Sequence, residues 1–343
     1  MINMATIRDV ARYAGVHPST VSRVFSGKAS ISSDTQQRVL NAAKELGFHP
    51  NAIARSLSMR RTHTIGMVVP FVYEGLFNDS FFPQSMRGML EASYRHGYRL
   101  ILGGSQGYQD EYTQIRQIMD SSQADGIVVM SSRLDVDTVS ALHLQGTPFV
   151  LIGHPPTGET QHIPWVDADN RQATRQAIEH LIELGHQRIA YIGGDPENQT
   201  TQERLQAYQE TMNQGGIHPE PHWVEYGYFS EEGGYLTAHH MLSQNNPPTA
   251  FYAANDPMAI GVIRAIQERG LNIPQQISII GTNDSPAAAH TDPPLSSISV
   301  PYSQIAAKAV DMLVTIIEKG SIEPTSHTLD CLLVKRDSTG RAN

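Results

Sequence analysis

The sequence predicts an α/β protein: an N-terminal unit of three short helices, then two doubly wound parallel α/β lobes. Two observations predict the lobes. Eight short apolar runs alternate with helical segments after residue 64, a pattern typical of parallel sheets with helices on both faces. Each of the first four runs also has a counterpart 123 to 130 residues later, which indicates two similar lobes in succession.

The apolar runs and the periodic segments between them give the predicted elements. The predicted strands are 65–70, 99–105, 125–131, 147–153, 188–194, 222–229, 249–255 and 277–283. The predicted helices of the body are 85–96, 113–121, 171–184, 202–214, 232–242, 257–269 and 302–319, with a last strand near 327–334.

Composition is that of an ordinary globular protein: 343 residues, 40% hydrophobic and 17% charged, which allows two or three domains. No apolar run reaches the roughly 18 residues that a membrane span requires. The N-terminus lacks the pattern of a secretion signal. The single cysteine, Cys331, cannot form an internal disulfide, which fits a reducing compartment. Together these observations lead us to expect a cytoplasmic protein that does not contact membranes.

Charge is distributed unevenly along the chain. Residues 1–62 hold nine Lys or Arg and three Asp or Glu, a net charge of +6. Because the whole chain has a net charge of −9, residues 63–343 carry −15. A basic head on an acidic body indicates that the head meets a polyanion. The alternative is a basic face that contacts only solvent.

The basic head has the signals of three helices. Thr6 and Asp9 form a capping pattern at the start of the first helix, and Gly15 ends it. Pro18 begins the second helix, and the third runs from Ser32 to Gly47. Two short helices joined by a tight turn and followed by a third are typical of a helix-turn-helix unit.

The second helix carries the candidate DNA-reading side chains. The spacing of its valines predicts that Ser19, Thr20, Ser22 and Arg23 project outward. An arginine can bond guanine O6 and N7 together, and short hydroxyls reach phosphates or base edges. The alternative is a generic three-helix bundle, which the charge of +6 and this polar helix disfavour.

The head and the linker after it resemble the lactose/galactose-repressor family. The resemblance rests on Thr6-Ile7-Arg8-Asp9-Val10-Ala11, on Ser19-Thr20-Val21-Ser22-Arg23-Val24 and on Pro50-Asn51-Ala52-Ile53-Ala54-Arg55-Ser56-Leu57. It covers nearly the whole chain. It implies a transcription repressor whose body has the fold of periplasmic binding proteins and binds a small-molecule effector.

The resemblance also implies roles for single residues of the DNA-binding part. Pro18, Ser19 and Arg23 are expected to read bases, whereas Thr20 and Ser22 match phosphate contacts, and we add Thr6 to this set. Asn51, Ala54 and Leu57 fall in the hinge helix, with Leu57 as the apolar wedge in the minor groove.

Polar groups that follow the predicted strands mark the effector site, because ligands of open α/β sheets bind beyond the carboxyl ends of strands. Aromatic faces, carboxylates, amides and an arginine are what a sugar site needs. The candidates are Tyr73, Phe81, Asp169, Asn170, Arg204, Phe229, Asn255, Asp256, Asn283 and Asp284. For the Asp and Asn residues the alternative is helix capping, and for the aromatic residues it is packing in the core.

We therefore expect a helix-turn-helix domain over 1–50, a hinge helix and linker over 51–62, and an effector-binding and dimerisation domain over 63–343. Lobe 1 is predicted to comprise about 63–160 and 292–323, and lobe 2 about 161–291 and 324–340. The chain lacks the leucine-heptad tail of tetrameric family members, so a homodimer is expected.

No cofactor, metal site or enzymatic activity is predicted. His180 and His186 have no ligand partner at suitable spacing, His239 and His240 point apart, and no nucleophile motif occurs. The predicted partners are a palindromic double-stranded operator and a sugar. The segments 150–156 and 167–170 look closest to maltose-operon repressors, so maltose or a malto-oligosaccharide is one expected effector. Alternative effectors are a sugar phosphate, a nucleobase or a protein corepressor. An alternative function is sugar binding without gene regulation.

Overall fold

A computed structural model of the chain describes residues 5–26, 31–48, 61–69, 76–77, 79–104, 108–130, 135–156 and 162–343. The helices are α1 (Ile7–Ala14), α2 (Pro18–Ser26), α3 (Ser33–Glu45), α4 (Phe81–Arg95), α5 (Tyr108–Asp120), α6 (Val136–Leu144), α7 (Asn170–Glu183), α8 (Gln199–Gln214), α9 (Glu231–Met241), α10 (Asp256–Glu268) and α11 (Tyr302–Lys319). The strands are β1 (Thr64–Val69), β2 (Arg99–Gly104), β3 (Gly126–Val129), β4 (Phe149–Ile152), β5 (Trp165–Ala168), β6 (Ile189–Gly193), β7 (Val224–Tyr226), β8 (Ala250–Ala253), β9 (Ser278–Thr282), β10 (Ser296–Ser299), β11 (Ser326–Leu329) and β12 (Leu332–Val334).

The head is the predicted three-helix unit. Thr6 and Asp9 form both hydrogen bonds of a capping box at the start of α1. Gly15 ends α1 with φ 63°, a left-handed conformation that glycine adopts without strain. Val10, Val21 and Val39, one from each helix, are completely buried and form the centre of the small core that joins the helices.

The body consists of two six-stranded sheets, one in each lobe. The strand order in lobe 1 is β11-β5-β4-β3-β1-β2, and all neighbouring strands are parallel. The order in lobe 2 is β12-β10-β9-β8-β6-β7, and only β12 runs antiparallel to its neighbour. Strands such as β3, β4 and β8 are buried throughout, which accounts for their continuous apolar sequences.

Strand pairing moves the predicted lobe boundaries. β5, at 165–168, was expected in lobe 2 but pairs with β4 in lobe 1, and the predicted last strand is divided between β11 in lobe 1 and β12 in lobe 2. β10, at 296–299, was expected in lobe 1 but pairs with β9 in lobe 2. A short apolar run does not reveal which sheet it joins, because its hydrogen-bond partners are distant in sequence.

Two helices pack tightly where lobe 1 borders the cleft. α11 lies against α4, and a Cβ atom added to Gly88 would lie 2.0 Å from the carbonyl oxygen of Ser303. Only glycine permits this approach of backbones. The contact brings the start of α4 next to the start of α11, where Phe81 and Tyr302 meet edge to face with centroids 5.0 Å apart.

No helix in the described part of the chain is both long and apolar enough to span a lipid bilayer.

Candidate effector cleft and nucleic-acid interface

A cavity of about 220 Å³ lies between the lobes, at the carboxyl ends of strands from both sheets. Lobe 1 supplies residues at or just after the ends of β1, β3, β4 and β5, and lobe 2 supplies residues that follow β6 to β9. The polar lining side chains are Asp79, Asp167, Asn170, Asn198, Thr200, Arg204, Asn255, Asn283 and Tyr302. The apolar lining includes Leu76, Phe81, Phe82, Met130, Ile152 and Phe229. This is where a doubly wound fold binds small molecules.

Arg204 is the buried cation of the cleft. Its Nη1 donates to the carbonyl oxygen of Ala254 at 2.6 Å, and its Nη2 donates to Oδ1 of Asn170 at 3.1 Å. Its Nε is buried and has no hydrogen-bond partner among the described residues. A buried donor without a partner costs about 1–3 kcal/mol, so a ligand oxygen that reached this N–H would stabilise it.

Asp79 connects the two lobes through its carboxylate. It follows β1 in lobe 1, and its oxygens accept hydrogen bonds from Nδ2 of Asn255 and Nδ2 of Asn283 in lobe 2, each at 2.8 Å. The backbone N–H of Phe81 donates to the same carboxylate at 2.8 Å. Burial raises the pKa of Asp79, although these hydrogen bonds oppose the shift.

Backbone strain marks the lobe 2 side of the cleft. Phe229 and Asn283, which both line the cavity, have φ of 60° and 102°, in the left-handed region that residues with a side chain rarely adopt. Asn283 is fixed there because its Oδ1 accepts a hydrogen bond from Tyr302 at 2.8 Å. Strained residues that are held by their surroundings concentrate at ligand sites.

The aromatic ring of Phe229 rests on a glycine. A Cβ atom at Gly194, just after β6, would lie 1.9 Å from the Phe229 ring, so the ring occupies space that any other residue would fill. Phe229 and Phe81 line the cavity from lobe 2 and lobe 1 respectively. They can provide flat apolar faces for a ligand ring.

α2 presents the predicted DNA-reading residues. Ser19, Ser22 and Arg23 are exposed, whereas Pro18 and Thr20 are half-buried. Oγ of Ser19 lies 2.8 Å from Nδ1 of His17. The set matches the predicted exposure of polar side chains on α2, apart from the more enclosed Thr20.

The remaining predicted DNA contacts are Thr6 and three residues of the linker. The side chain of Thr6 is engaged with Asp9 in the capping box, which gives it a role in the start of α1. Asn51, Ala54 and Leu57, and the predicted hinge helix around them, lie outside the described residues.

Two family models match the chain. The model for bacterial regulatory proteins of the lacI family matches residues 6–51, and that for a periplasmic binding protein-like domain matches residues 178–339. The HTH-type transcriptional repressor PurR of Pasteurella multocida is 33% identical over 336 residues, 98% of each chain. The chain belongs to the lacI family. It is a DNA-binding transcriptional regulator, as the sequence predicted.

Solved structures share this fold over nearly the whole chain. The Lac repressor dimer bound to operator and the anti-inducer ONPF is 26% identical, with a TM-score of 0.85, and the match covers 98% of this chain and 99% of that one. The transcriptional regulator CelR in complex with cellobiose is 30% identical, with a TM-score of 0.76, over 97% and 99% of the two chains. The predicted fold class is confirmed.

Of the ten predicted effector residues, nine are described by the structure. Six of these nine line the cavity and three do not. The six are Phe81, Asn170, Arg204, Phe229, Asn255 and Asn283. Asp169 caps α7 by accepting a hydrogen bond from the backbone of Gln172. Oxygens of Asp256 accept hydrogen bonds from the Ser285 backbone and the Ser297 hydroxyl, and Asp284 pairs with Arg336 at 2.6 Å. Tyr73 lies outside the described residues.

Asp169, Asp256 and Asp284, which were predicted to bind the effector and do not line the cavity, share one feature of their position. Each belongs to a pair of consecutive polar residues after a strand, and in each pair only the asparagine lines the cavity. Asp79, Asp167 and Tyr302 were missed by the sequence analysis. For Asp79 a signal existed, because it stands two residues before Phe81 in a polar turn after β1.

A second polar cluster joins the lobes at the edge of the cleft. His154 Nδ1 lies 3.0 Å from Oδ2 of Asp167, in lobe 1, and 3.2 Å from Oε1 of Glu203, on α8 of lobe 2. Nδ2 of Asn170 donates to Oδ2 of Asp167 at 3.1 Å and to Oε2 of Glu203 at 3.2 Å. The imidazole of His154 also packs against Trp165, with ring centroids 4.2 Å apart. No local pattern in the sequence links these residues.

The linker enters lobe 1 through a defined set of hydrogen bonds. The backbone N–H groups of Thr62 and His63 donate to the carboxylate of Asp125, at 2.6 and 2.9 Å. The guanidinium of Arg61 donates to the carbonyl oxygen of Ile317 on α11 at 3.0 Å. The end of the linker is therefore fixed to the amino-terminal edge of the lobe 1 sheet and to the last helix of lobe 1.

Proposed function

We propose that this chain is a repressor that binds a palindromic operator as a homodimer, and that a neutral sugar bound between its lobes controls its affinity for DNA. The observation that carries the proposal is the cavity between the lobes. It combines the buried Arg204, whose Nε lacks a partner among the described residues, with the amides of Asn170, Asn255 and Asn283 and with aromatic side chains. Sugar hydroxyls pair with such donors and acceptors, and pyranose faces pack on aromatic rings.

The charge of the lining favours a neutral ligand. Arg204 is the one lysine or arginine among the described residues of the cavity, and Asp79 and Asp167 face the same space. A phosphate would need more cationic donors and would be repelled by these carboxylates. We therefore place a neutral sugar, such as maltose, a malto-oligosaccharide or cellobiose, ahead of a sugar phosphate, a nucleobase or a protein corepressor.

The proposed mechanism is a coupling between cleft closure and DNA binding. A sugar that contacts both lobes favours one relative position of the lobes, and the hydrogen bonds of Asp125 and Arg61 pass a movement of lobe 1 to the linker. A hundredfold change in operator affinity requires a coupling free energy of about 2.7 kcal/mol, within the usual allosteric range. The two heads of a symmetric dimer would read half-sites about one helical turn apart.

The proposal excludes catalysis and free sugar binding as the main role. The cavity side chains are arranged for recognition, and we propose no chemical step for them. The basic head with its exposed α2 distinguishes this chain from a sugar-binding protein without gene regulation. A regulator of this kind works where the chromosome is, which is the cytoplasm in bacteria.

A ligand screen followed by an operator titration tests the proposal. Thermal unfolding of the full chain is measured against neutral sugars, sugar phosphates and nucleobases, and a ligand at a hundred times its Kd should stabilise the body by about 2.7 kcal/mol. Arg204→Lys keeps the charge but lacks the planar fork that reaches Ala254 and Asn170. We expect it to abolish the shift while operator binding persists.

Two outcomes of this screen would contradict the proposal. Stabilisation by phosphorylated compounds or bases alone would show that the ligand class is wrong. An equal shift in wild type and Arg204→Lys would show that the sugar binds elsewhere. If Arg204→Lys lost both the ligand response and operator binding, the variant would have a folding defect. Circular dichroism of the variant detects such a defect.

A further inference from the structure

We propose that His154, Asp167 and Glu203 form a binding site for one divalent transition-metal ion of the zinc class, which joins lobe 1 to lobe 2 at the edge of the cleft. This goes beyond the proposed function, since it concerns a second ligand outside the sugar cavity's centre. It also differs from the expectation of no metal site, which rested on His180, His186, His239 and His240.

The positions of the three ligand atoms fit such an ion. Nδ1 of His154 lies 3.0 and 3.2 Å from the nearest oxygens of Asp167 and Glu203, and all three ligand atoms are within 4.8 Å of one another. Tetrahedral zinc with bonds of about 2.0–2.1 Å separates its ligand atoms by roughly 3.3 Å. The two distances from Nδ1 of His154 are close to that separation, so an ion could bind all three atoms, with water in a fourth position.

The charge of the cluster favours a dication. The carboxylates of Asp167 and Glu203 lie beside one imidazole, and all three side chains are largely enclosed, with exposed fractions of 11%, 19% and 27% for Asp167, Glu203 and His154. With a neutral imidazole, a doubly charged ion gives the cluster zero net charge. Imidazole and carboxylate together suit zinc and its neighbours better than magnesium or calcium, which prefer oxygen ligands alone.

Neighbouring N–H groups hold the carboxylates in position. The backbone N–H of Ala168 donates to Oδ1 of Asp167 at 2.7 Å, which leaves Oδ2 directed toward His154. Nδ2 of Asn170 bonds one oxygen of each carboxylate, including Oε2 of Glu203, so Oε1 of Glu203 faces the imidazole. Hydrogen bonds of this kind orient metal ligands and raise affinity.

The site is connected to the effector arginine. Oδ1 of Asn170, whose amide nitrogen contacts both carboxylates, accepts the hydrogen bond from Arg204. Because His154 and Asp167 belong to lobe 1 and Glu203 to lobe 2, a bound ion resists separation of the lobes. A metal ion here would therefore bridge the two lobes beside the sugar cavity. If the proposed function holds, binding of the metal should change the affinity for the effector.

Metal binding by the full chain, freed of metal by a chelator, tests the site without DNA or sugar. Isothermal titration with Zn²⁺ should give one tight site per chain, and Zn²⁺ should raise the midpoint of thermal unfolding. Glu203→Gln and His154→Gln should each weaken binding about tenfold or more and remove the thermal shift. Co²⁺ should give the visible absorption of a tetrahedral site in wild type and not in these variants.

Two other histidine groups provide the controls. His240→Gln removes an imidazole that pairs with a single carboxylate, Glu225, and should leave zinc binding unchanged. His143 and His162 have ring centroids 4.2 Å apart and could bind an ion by themselves. Binding that survives Glu203→Gln but is lost in His143→Gln would place the ion there and overturn the proposal, as would the absence of a tight site in wild type.

The same experiment separates this proposal from the proposed function. Zinc binding that depends on Glu203, with no effect of any sugar, would support the site and contradict the sugar-responsive repressor. A sugar response without zinc binding would support the sugar-responsive repressor and contradict the metal site. Denaturant midpoints of the two ligand variants, measured without metal, show whether either has merely lost its fold.

Discussion

Asp79 and Asn283 lie 204 residues apart in sequence, and the amide of Asn283 donates to the carboxylate of Asp79 at 2.8 Å across the cleft. Asn255 makes an equivalent hydrogen bond to the second oxygen of Asp79. One carboxylate of lobe 1 therefore engages two amides of lobe 2 that line the cavity. This contact occupies donors that a ligand's hydroxyl groups would otherwise use, and it holds the lobes together.

Asp79→Asn should weaken this connection. An asparagine offers a single acceptor oxygen, and its amide nitrogen would face one of the two donors from lobe 2. We expect the free energy of unfolding at pH 7 to fall by about 1–2 kcal/mol, as for a buried donor left without a partner. Urea unfolding measures this free energy. Asp311→Asn is the control, because Asp311 pairs with Arg95 and His96 at the surface. Equal losses in both variants would contradict this role of Asp79.

Asp256 should make stability depend on pH. Burial raises its pKa to about 7, with Asp79 the charged neighbour that adds to the shift, whereas an unfolded aspartate has a pKa of about 3.9. The folded state thus binds more protons between pH 4 and 7, and stability falls as pH rises through that range. Above pH 7 this contribution is lost completely.

Asp256→Asn isolates the effect, because asparagine resembles the protonated acid and can keep bonds to Ser285 and Ser297. Relative to wild type, the variant should gain stability from pH 5 to pH 8, by an amount on the order of a few kcal/mol. Urea unfolding at several pH values measures the difference. Parallel curves for the two proteins would show that Asp256 does not titrate in this range.

Gly194→Ala should alter the effector cavity without changing a charge. The added methyl group would lie about 2 Å from the Phe229 ring, so the ring must move. We expect sugar affinity to fall about tenfold or more while operator binding without sugar persists. Phe229→Leu, which removes the flat face at similar size, should have a similar effect. Normal sugar affinity in Gly194→Ala would exclude Phe229 as a ligand platform.

Gly88→Ala should destabilise lobe 1 at the crossing of α4 and α11. The new Cβ would meet the backbone of Ser303 at 2.0 Å, and backbone cannot rotate away as a side chain can. We expect a loss of about 1–3 kcal/mol or more in the free energy of unfolding, measured by chemical denaturation. Glu91→Ala, on the exposed face of the same helix, is the control and should change stability by less than about 0.5 kcal/mol.

Arg23→Ala should weaken specific DNA binding. The side chain is exposed on α2, where an arginine can bond a guanine, so we expect a loss of about 1–3 kcal/mol on the operator and relaxed specificity at one base. Fluorescence anisotropy with a selected palindromic DNA measures it. Arg38→Ala, on α3, serves as the matched charge control. If both variants bind the operator equally well, Arg23 is not a base-reading residue.

Local signals in the sequence were sufficient for the helices other than α6, which was not predicted, and for most of the strands. The capping box of Thr6 and Asp9, the turn at Gly15 and the repeated strand–helix spacing all involve residues that are close in the chain. The same is true of α2, whose polar side chains were predicted from the valine spacing. Such features depend on backbone geometry and short-range hydrogen bonds, which a sequence pattern reports directly.

The tertiary structure alone decided which strand joins which sheet and which side chains meet in the cleft. β5 and β11 pair although their residues lie about 160 positions apart, and Asp79 meets Asn255 over 176 positions. In the pairs Asn255-Asp256 and Asn283-Asp284, the sequence marked both members, whereas packing turned each aspartate away from the cavity. Contacts of this length form only when whole elements pack, so neither periodicity nor spacing in the sequence contains them.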